Sequence, residues 1–119
     1  MKEYLLLIRT EGDYCAEMPA EQYKKHLTDV SNYISNLTQQ GRFKGAQPLH
    51  LEGTMLHGSK GVFKDGPFIE SKEVIIGYFL ILAKDLDDAR EIAKAHPMFK
   101  ENVDAKIEIR LVKHEEGIN

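Results

Sequence analysis

The chain has 119 residues, enough for one domain with its own hydrophobic core. Its 42% hydrophobic and 29% charged residues are typical of a globular domain. The 16 basic and 19 acidic residues give a net charge of -3, and the basic residues are scattered along the sequence. We therefore expect no direct nucleic-acid binding. One cysteine excludes an intramolecular disulfide, and no apolar run has the length of a signal peptide or membrane span. We therefore expect a cytoplasmic location and no membrane association.

The first half of the chain predicts a strand, a helix and a second strand. Residues 3–9 predict a strand with both faces buried, because residues 4–8 within it are apolar without alternation. Pro19 stands at the expected first position of a helix that ends at Gly41. Its apolar residues recur every three or four positions: Tyr23, Leu27, Val30, Ile34 and Leu37. Residues 42–52 predict an irregular strand.

The second half predicts a hairpin, a buried strand, a short helix and a last strand. The hairpin joins residues 53–57 to residues 61–64. Residues 73–83 are again apolar without alternation. Asp85 has the position of a helix cap, and Pro97 ends that helix. The last strand alternates apolar and charged residues, which is typical of an edge strand: Ile107, Ile109 and Leu111 against Lys106, Glu108 and Arg110.

This order of elements predicts an α+β domain with ferredoxin-like βαββαβ topology and an inserted β-hairpin. Two helices cover one face of a four-stranded sheet, yet residues 74–82 are apolar on both faces. Strict alternation assigns Ile75, Gly77, Phe79 and Ile81 to one face, and Val74, Ile76, Tyr78, Leu80 and Leu82 to the other. A monomer rarely exposes an apolar patch of several hundred Å2, so we predict a homodimer whose sheets meet face to face.

A charged turn before the second buried strand holds the leading site candidates. In this stretch, Asp65-Gly66-Pro67-Phe68-Ile69-Glu70-Ser71-Lys72-Glu73, Asp65 either caps the turn or has a chemical role. Glu70 and Lys72 lie two apart and can point into one cleft, or belong to a solvated charge cluster. Phe68 is predicted to lie in the core or in a pocket wall. The turn is therefore both a structural hinge and a candidate site.

Three histidines, a tyrosine and the cysteine complete the candidate set. His26 lies at the border of the apolar helix face, where it is either half-buried or a general acid or base. His96 closes the second helix, where an imidazolium would interact well with the helix dipole. His57 and Tyr78 are candidates to line a pocket. Acidic neighbours make Cys15 a poor nucleophile candidate. No metal-ligand spacing is found, and we expect no cofactor.

The charged turn resembles the DGPF signature of YCII-related proteins. The similarity continues through Gly77-Tyr78-Phe79, Asp85-Leu86-Asp87-Asp88-Ala89 and His96-Pro97, so it spans nearly the whole chain. The resemblance implies a ferredoxin-like fold that forms a dimeric α/β barrel. It also implies an association with sigma factors, because some members are encoded beside them. Enzymatic roles have been suggested for the family from a pocket and from distant similarity to muconolactone isomerases.

The resemblance also bears on the site residues. In shorter YCII-like relatives, a His on the first helix and an Asp before the Pro that ends the second helix have been proposed as an active pair. His26 matches the first position, whereas His96 occupies the second, so the pair is not preserved as a His and an Asp.

Two hypotheses of function remain open from the sequence. The first is a cofactor-independent enzyme that acts on a small anionic or carbonyl substrate, with Asp65 or His26 moving a proton and Lys72 stabilising negative charge. The second is a non-catalytic ligand-binding or regulatory protein associated with transcription factors of the sigma type.

Overall fold

Strands and helices alternate along the chain in the order that the sequence predicts. The structure, a computed structural model, describes residues 1–12, 14–66, 73–101 and 104–114. Its elements are β1 (Lys2–Glu11), a 3-10 helix (Tyr14–Glu17), α1 (Ala20–Gln39), β2 (Phe43–Pro48), β3 (Met55–Ser59), β4 (Val62–Gly66), β5 (Glu73–Ala83), α2 (Leu86–Lys94), a second 3-10 helix (Pro97–Lys100) and β6 (Ala105–Leu111). The predicted α+β class is confirmed.

Four strands form one antiparallel sheet in the order β2-β5-β1-β6, while β3 and β4 pair separately. The two central strands are those whose sequences are apolar on both faces, and β6 lies at an edge, as predicted. Both helices pack on the same face of the sheet. The core there contains Tyr4, Leu6, Ile8, Tyr33, Leu37, Phe79, Ile81, Ala83, Ala89, Ile92, Ala93 and Met98. The arrangement buries the alternate residues of both central strands.

The helix ends follow from local sequence. Pro19 is the residue before α1 rather than its first residue, one position from the prediction. At the other end Gly41 has φ +72°, a value that favours glycine. The N–H of Arg42 donates to the carbonyl of Leu37 at 2.9 Å, which completes a Schellman cap. Asp85 caps α2 by accepting the N–H of Asp88 at 2.8 Å. None of the helices in the described part of the chain combines the length and apolar character needed to cross a bilayer.

Two side-chain contacts connect α2 to the rest of the fold. The buried hydroxyl of Tyr33 on α1 donates to the carbonyl of Ile92 at 2.6 Å, and burial raises the pKa of this hydroxyl. Arg42 forms an ion pair with Asp88 at 2.7 Å. The hydrogen bond from the backbone N–H of Lys84 lowers the pKa of the Asp88 carboxyl most, and the hydrogen bond from Arg42 lowers it further. These contacts hold α2 against α1 and against the start of β2.

A bulge in β5 changes which face two residues occupy. Ile8 pairs with Gly77 but Arg9 pairs with Ile75, so Ile76 has no residue opposite it on β1. Val74 consequently lies on the helix side and is only 5% exposed, whereas Ile75 lies on the opposite face. The strict alternation that we predicted for residues 74–82 is therefore wrong at these positions.

The sheet face away from the helices is apolar at its centre. Its central residues are half-buried: Leu5, Leu7, Ile75, Tyr78, Leu80 and Leu82. Ion pairs lie around them, with Arg9 and Glu108 3.0 Å apart and Lys44 and Glu3 3.5 Å apart. We call this surface the open sheet face.

The predicted hairpin forms with its turn shifted along the chain. Its turn residues are Lys60 (φ 51°) and Gly61 (φ 81°), and two successive residues with positive φ match the twist of the paired strands. The strands therefore run two residues beyond the predicted ends, to Ser59 and Gly66. Most of the hairpin is exposed. It packs little against the main sheet and contributes little to the core.

Candidate functional site

The predicted residues of the charged turn are only partly within the structure. Phe68, Glu70 and Lys72 lie outside the described residues, so their roles stay predictions. Asp65 is the fourth residue of β4 and is exposed. Within the described ranges, no hydrogen bond or ion pair joins Asp65 to His26. The two predicted proton-transfer residues are thus not in direct contact.

The remaining candidates are divided among three regions. His57 lies on the exposed hairpin opposite Lys64. Tyr78 lies on the open sheet face, because it pairs with Leu7 rather than with a helix-side residue of β1. His26 lies on α1 and His96 directly after α2, on the helix side. The four-stranded sheet therefore separates Tyr78 from the two histidines.

His96 is a buried, neutral imidazole. It is 4% exposed, and its ring packs edge-on against the rings of Tyr33 and Phe79. Its Nδ1 accepts the N–H of Met98 at 3.1 Å, which leaves the ring proton on Nε2. Burial, and secondly the charge of His26, lowers the pKa of His96 to about 4. The imidazolium that we predicted at this helix end is therefore wrong, since burial outweighs the helix dipole.

His26 forms the most distinctive polar contact of the helix side. Its Nδ1 lies 2.6 Å from Oε1 of Glu101, and each side chain is only 13% exposed. α1 supplies the histidine, and the residue that follows the second 3-10 helix supplies the carboxylate. Since a carboxylate accepts and does not donate, this contact places a proton on Nδ1. The lone pair of a neutral His26 is then on Nε2.

The other ring nitrogen of His26 faces the only cysteine of the chain. Nε2 lies 3.7 Å from Sγ of Cys15, which the first 3-10 helix presents. The ring of Tyr23, one turn earlier on α1, stacks beside the imidazole at 6.3 Å. Cys15, His26 and Glu101 therefore form a line of three polar side chains with the imidazole in the middle. We call this arrangement the Cys15–His26–Glu101 line.

Glu101 has unused capacity to accept a hydrogen bond. Its Oε2 is buried and makes no hydrogen bond to any of the described residues. A buried oxygen without a partner is costly, and such atoms are often found at functional sites. In the described ranges, no three His, Cys, Asp or Glu side chains, including these three, are grouped as a metal ion would require. The chemistry that these residues offer is proton transfer and nucleophilic attack.

A groove of about 560 Å3 lies between α1 and α2. Its wall does not include His26 or Glu101, but it includes the residues immediately before them, Lys25 and Lys100. Lys25 is paired with Asp29, and this hydrogen bond raises the pKa of Lys25. Within the described ranges, Lys100 makes no ion pair. Among the described residues, Lys100 is thus a cation of the groove wall without an ion-pair partner, one position before Glu101 in the chain.

Sequence reasoning identified His26 but missed Glu101 and misjudged the surroundings of Cys15. Glu101 is 75 positions from His26, so no local spacing connects them. The sequence shows the acidic neighbours of Cys15 but not that the imidazole of His26, 11 positions away, lies beside its sulfur. Both contacts depend on tertiary structure, so no sequence signal predicts them.

The comparison with protein families covers all of these residues. The family model of the YCII-related domain matches residues 3–113, from β1 to beyond β6. This range includes Cys15, His26, His96 and Glu101. No curated protein matches the chain. Because the family model covers nearly the whole length, the chain belongs to the family of YCII-related domains.

Proposed function

We propose that this protein is an enzyme that moves a proton to or from a small molecule, with His26 as the general acid or base. The observation that carries the proposal is the 2.6 Å contact between Nδ1 of His26 and Oε1 of Glu101, both 87% shielded from solvent. A base whose second nitrogen is held by a carboxylate has a fixed tautomer and a fixed orientation. Glu101 is the positioning residue in this proposal.

Nε2 is the atom that exchanges the proton. With Nδ1–H donated to Glu101, the neutral ring accepts a proton at Nε2, and the carboxylate stabilises the imidazolium that results. His96 does not compete for this role, because burial disfavours its protonated form and its Nδ1 already accepts the N–H of Met98. Proton transfer by one positioned side chain typically contributes about 10²- to 10⁴-fold to a rate.

A small anionic or carbonyl compound is the substrate class that we propose. Lys100 supports this choice, since it lines the groove and has no ionic partner among the described side chains. A substrate carboxylate held by Lys100 would lie in the groove, whose wall includes the residues immediately before His26 and Glu101 in the chain. Removal of a proton from a carbon beside a carbonyl would suit an imidazole base.

Isotope exchange tests the proposal without knowledge of the full reaction. Small ketones and carboxylates with an acidic C–H would be incubated with the protein in D2O, and loss of the proton signal would be followed by NMR. We expect the wild-type protein to exchange at least one compound, and His26→Gln to reduce that rate by about 10²-fold or more. Glu21→Gln, at an exposed position of α1 outside the groove wall, is the matched control for Glu101→Gln.

The outcomes separate the remaining hypotheses. Exchange that is undiminished in His26→Gln would refute the assignment of His26. Asp65→Asn in the same assay tests whether the turn carboxylate has the second proton-transfer role. Stoichiometric binding of a compound without exchange in any variant would instead favour a non-catalytic binding protein.

We further propose a ferredoxin-like topology and a homodimer that joins two open sheet faces into an α/β barrel. The strand order β2-β5-β1-β6 and the apolar centre of the open sheet face support this proposal. Burial of these apolar side chains in a dimer would stabilise it by about 25 cal/mol per Å2 of apolar area removed from water. Sedimentation should show a dimer at micromolar concentration and a monomer for Leu80→Glu. A wild-type monomer under these conditions would contradict the proposal.

A further inference from the structure

The geometry points to Cys15 as a nucleophile whose thiol proton passes to His26. This inference rests on the proposed function, because it uses the same imidazole as a base, and it adds a covalent step at that site. Its basis is the Cys15–His26–Glu101 line, in which one side chain can attack, one can accept a proton and one orients the acceptor.

The distances satisfy the requirements of such an arrangement. Sγ of Cys15 lies 3.7 Å from Nε2 of His26, within hydrogen-bond reach for sulfur. Because Glu101 places a proton on Nδ1, Nε2 is the nitrogen that is able to accept the S–H proton. Cys15 is half-buried, and part of the residue is exposed to solvent. The thiolate, rather than the thiol, is the attacking species.

Charged groups around the imidazole come from several elements. Glu101 contacts it from the segment after the second 3-10 helix, and Lys25 on α1 interacts with that carboxylate. His96 lies close enough for its titration to be affected by the charge of His26. His96 is neutral near pH 7, whereas Glu101 is a charged group in direct contact with His26. A negative neighbour favours the imidazolium that forms when Cys15 loses its proton.

The substrate class is a small molecule with an electrophilic carbon that carries a leaving group. Sγ forms a bond to this carbon while the bond from carbon to the leaving group breaks. The leaving group departs with the bonding electron pair, and the thiol proton remains on Nε2 of His26. No oxidant or reductant is needed for this step.

Alkylation by iodoacetamide tests the inference directly. The sulfur displaces iodide, and because the chain has one cysteine, the mass increase reports on Cys15 without ambiguity. An ordinary thiol with a pKa near 8.5 reacts about 50-fold more slowly at pH 6.5 than at pH 8.5. For the wild-type protein we expect the alkylation rate at pH 6.5 to be less than about tenfold below the rate at pH 8.5, since the imidazole promotes thiolate formation.

Variants connect this reactivity to the imidazole and to its positioning residue. In His26→Gln the alkylation rate should fall between pH 8.5 and pH 6.5 as much as that of an ordinary thiol. In Glu101→Gln, which keeps the size of the side chain, the fall should lie between those of the wild type and His26→Gln. His50→Gln replaces an exposed histidine between β2 and β3 and should behave as the wild type. Cys15→Ser should not be labelled. Circular dichroism establishes that each variant is folded.

The results are decisive in either direction. Wild-type alkylation with the pH profile of an ordinary thiol, unchanged in Glu101→Gln, would overturn the inference even if His26→Gln did not fold. Failure of the proposed function gives a different pattern, namely no proton exchange from any substrate while Cys15 keeps its His26-dependent reactivity. Conversely, if proton exchange depends on His26 but Cys15 has the pH profile of an ordinary thiol, only the proposed role of Cys15 is refuted.

Discussion

Acidification from pH 7 to pH 5 should destabilise the folded protein by about 2 kcal/mol through His96 alone. The side chain is 4% exposed and is enclosed by the rings of Tyr33 and Phe79. Burial, with a smaller contribution from the charge of His26, lowers its pKa from 6.5 to about 4. Protonation therefore requires either a buried charge or an unfolded chain.

The sign follows from the protons bound by each state. Between pH 6.5 and about pH 4 the unfolded chain binds a proton at His96 that the folded protein does not, so the free energy of unfolding rises with pH. The stabilisation is complete above pH 6.5, falls as the pH drops, and is absent below about pH 4. At about 1.4 kcal/mol for each pH unit, the complete effect is about 3 kcal/mol. Somewhat more than half of it falls between pH 7 and pH 5, where most carboxylates keep their charge.

Urea unfolding followed by circular dichroism at pH 5, 6 and 7 measures this dependence. Protein concentration is kept constant, because a dimer would make stability depend on concentration. His96→Asn keeps a side-chain acceptor for the N–H of Met98 but has no group that titrates in this range. The difference in stability between wild type and His96→Asn should shrink by about 2 kcal/mol on acidification. His50→Asn, at an exposed position, is the matched control. An equal pH dependence in wild type and His96→Asn would refute the reasoning.

Three further predictions concern stability and are measured by urea unfolding at pH 7. Leu6→Ala leaves a cavity at a fully buried site and should cost about 2–5 kcal/mol, whereas Leu111→Ala at an exposed site should cost little; equal losses would contradict the assigned core. Asp85→Ala removes the cap of α2 and should cost about 1 kcal/mol, while exposed Asp87→Ala should have a smaller effect. Tyr33→Phe removes the hydroxyl that donates to the Ile92 carbonyl, which keeps the 3.3 Å hydrogen bond from the N–H of Ala95, and should cost about 1 kcal/mol; an unchanged stability would show that the Tyr33 hydrogen bond contributes nothing.

Much of the fold was predictable because the hydrophobic pattern and the residues that end helices and strands agreed along the chain. The apolar runs of β1 and β5 indicated central strands, and Gly41 marked the end of α1. The bulge at Ile76 was not predictable, since a strand that is apolar on both faces gives no signal when its alternation shifts by one residue. The hairpin turn also moved, to Lys60 and Gly61, because Gly58 offered an equally good turn signal.

The candidate site was predictable only in part, for a different reason. His26 was recognisable from its position at the border of a helical face. Its partners were not, because tertiary structure alone brings Glu101 and Cys15 to opposite sides of the same ring. The neutral state of His96 likewise depends on rings from distant elements that exclude water. Composition and spacing report on none of these contacts.

The central claim is that Glu101 fixes the tautomer of His26 so that Nε2 acts as the proton acceptor. Nitrogen-15 NMR of the imidazole measures the tautomer directly, in the wild type and in Glu101→Gln, with Glu21→Gln as the control. We predict that neutral wild-type His26 carries its proton on Nδ1, and that Glu101→Gln populates both tautomers. A wild-type His26 that carries its proton on Nε2, or the same tautomer in Glu101→Gln, would contradict the account.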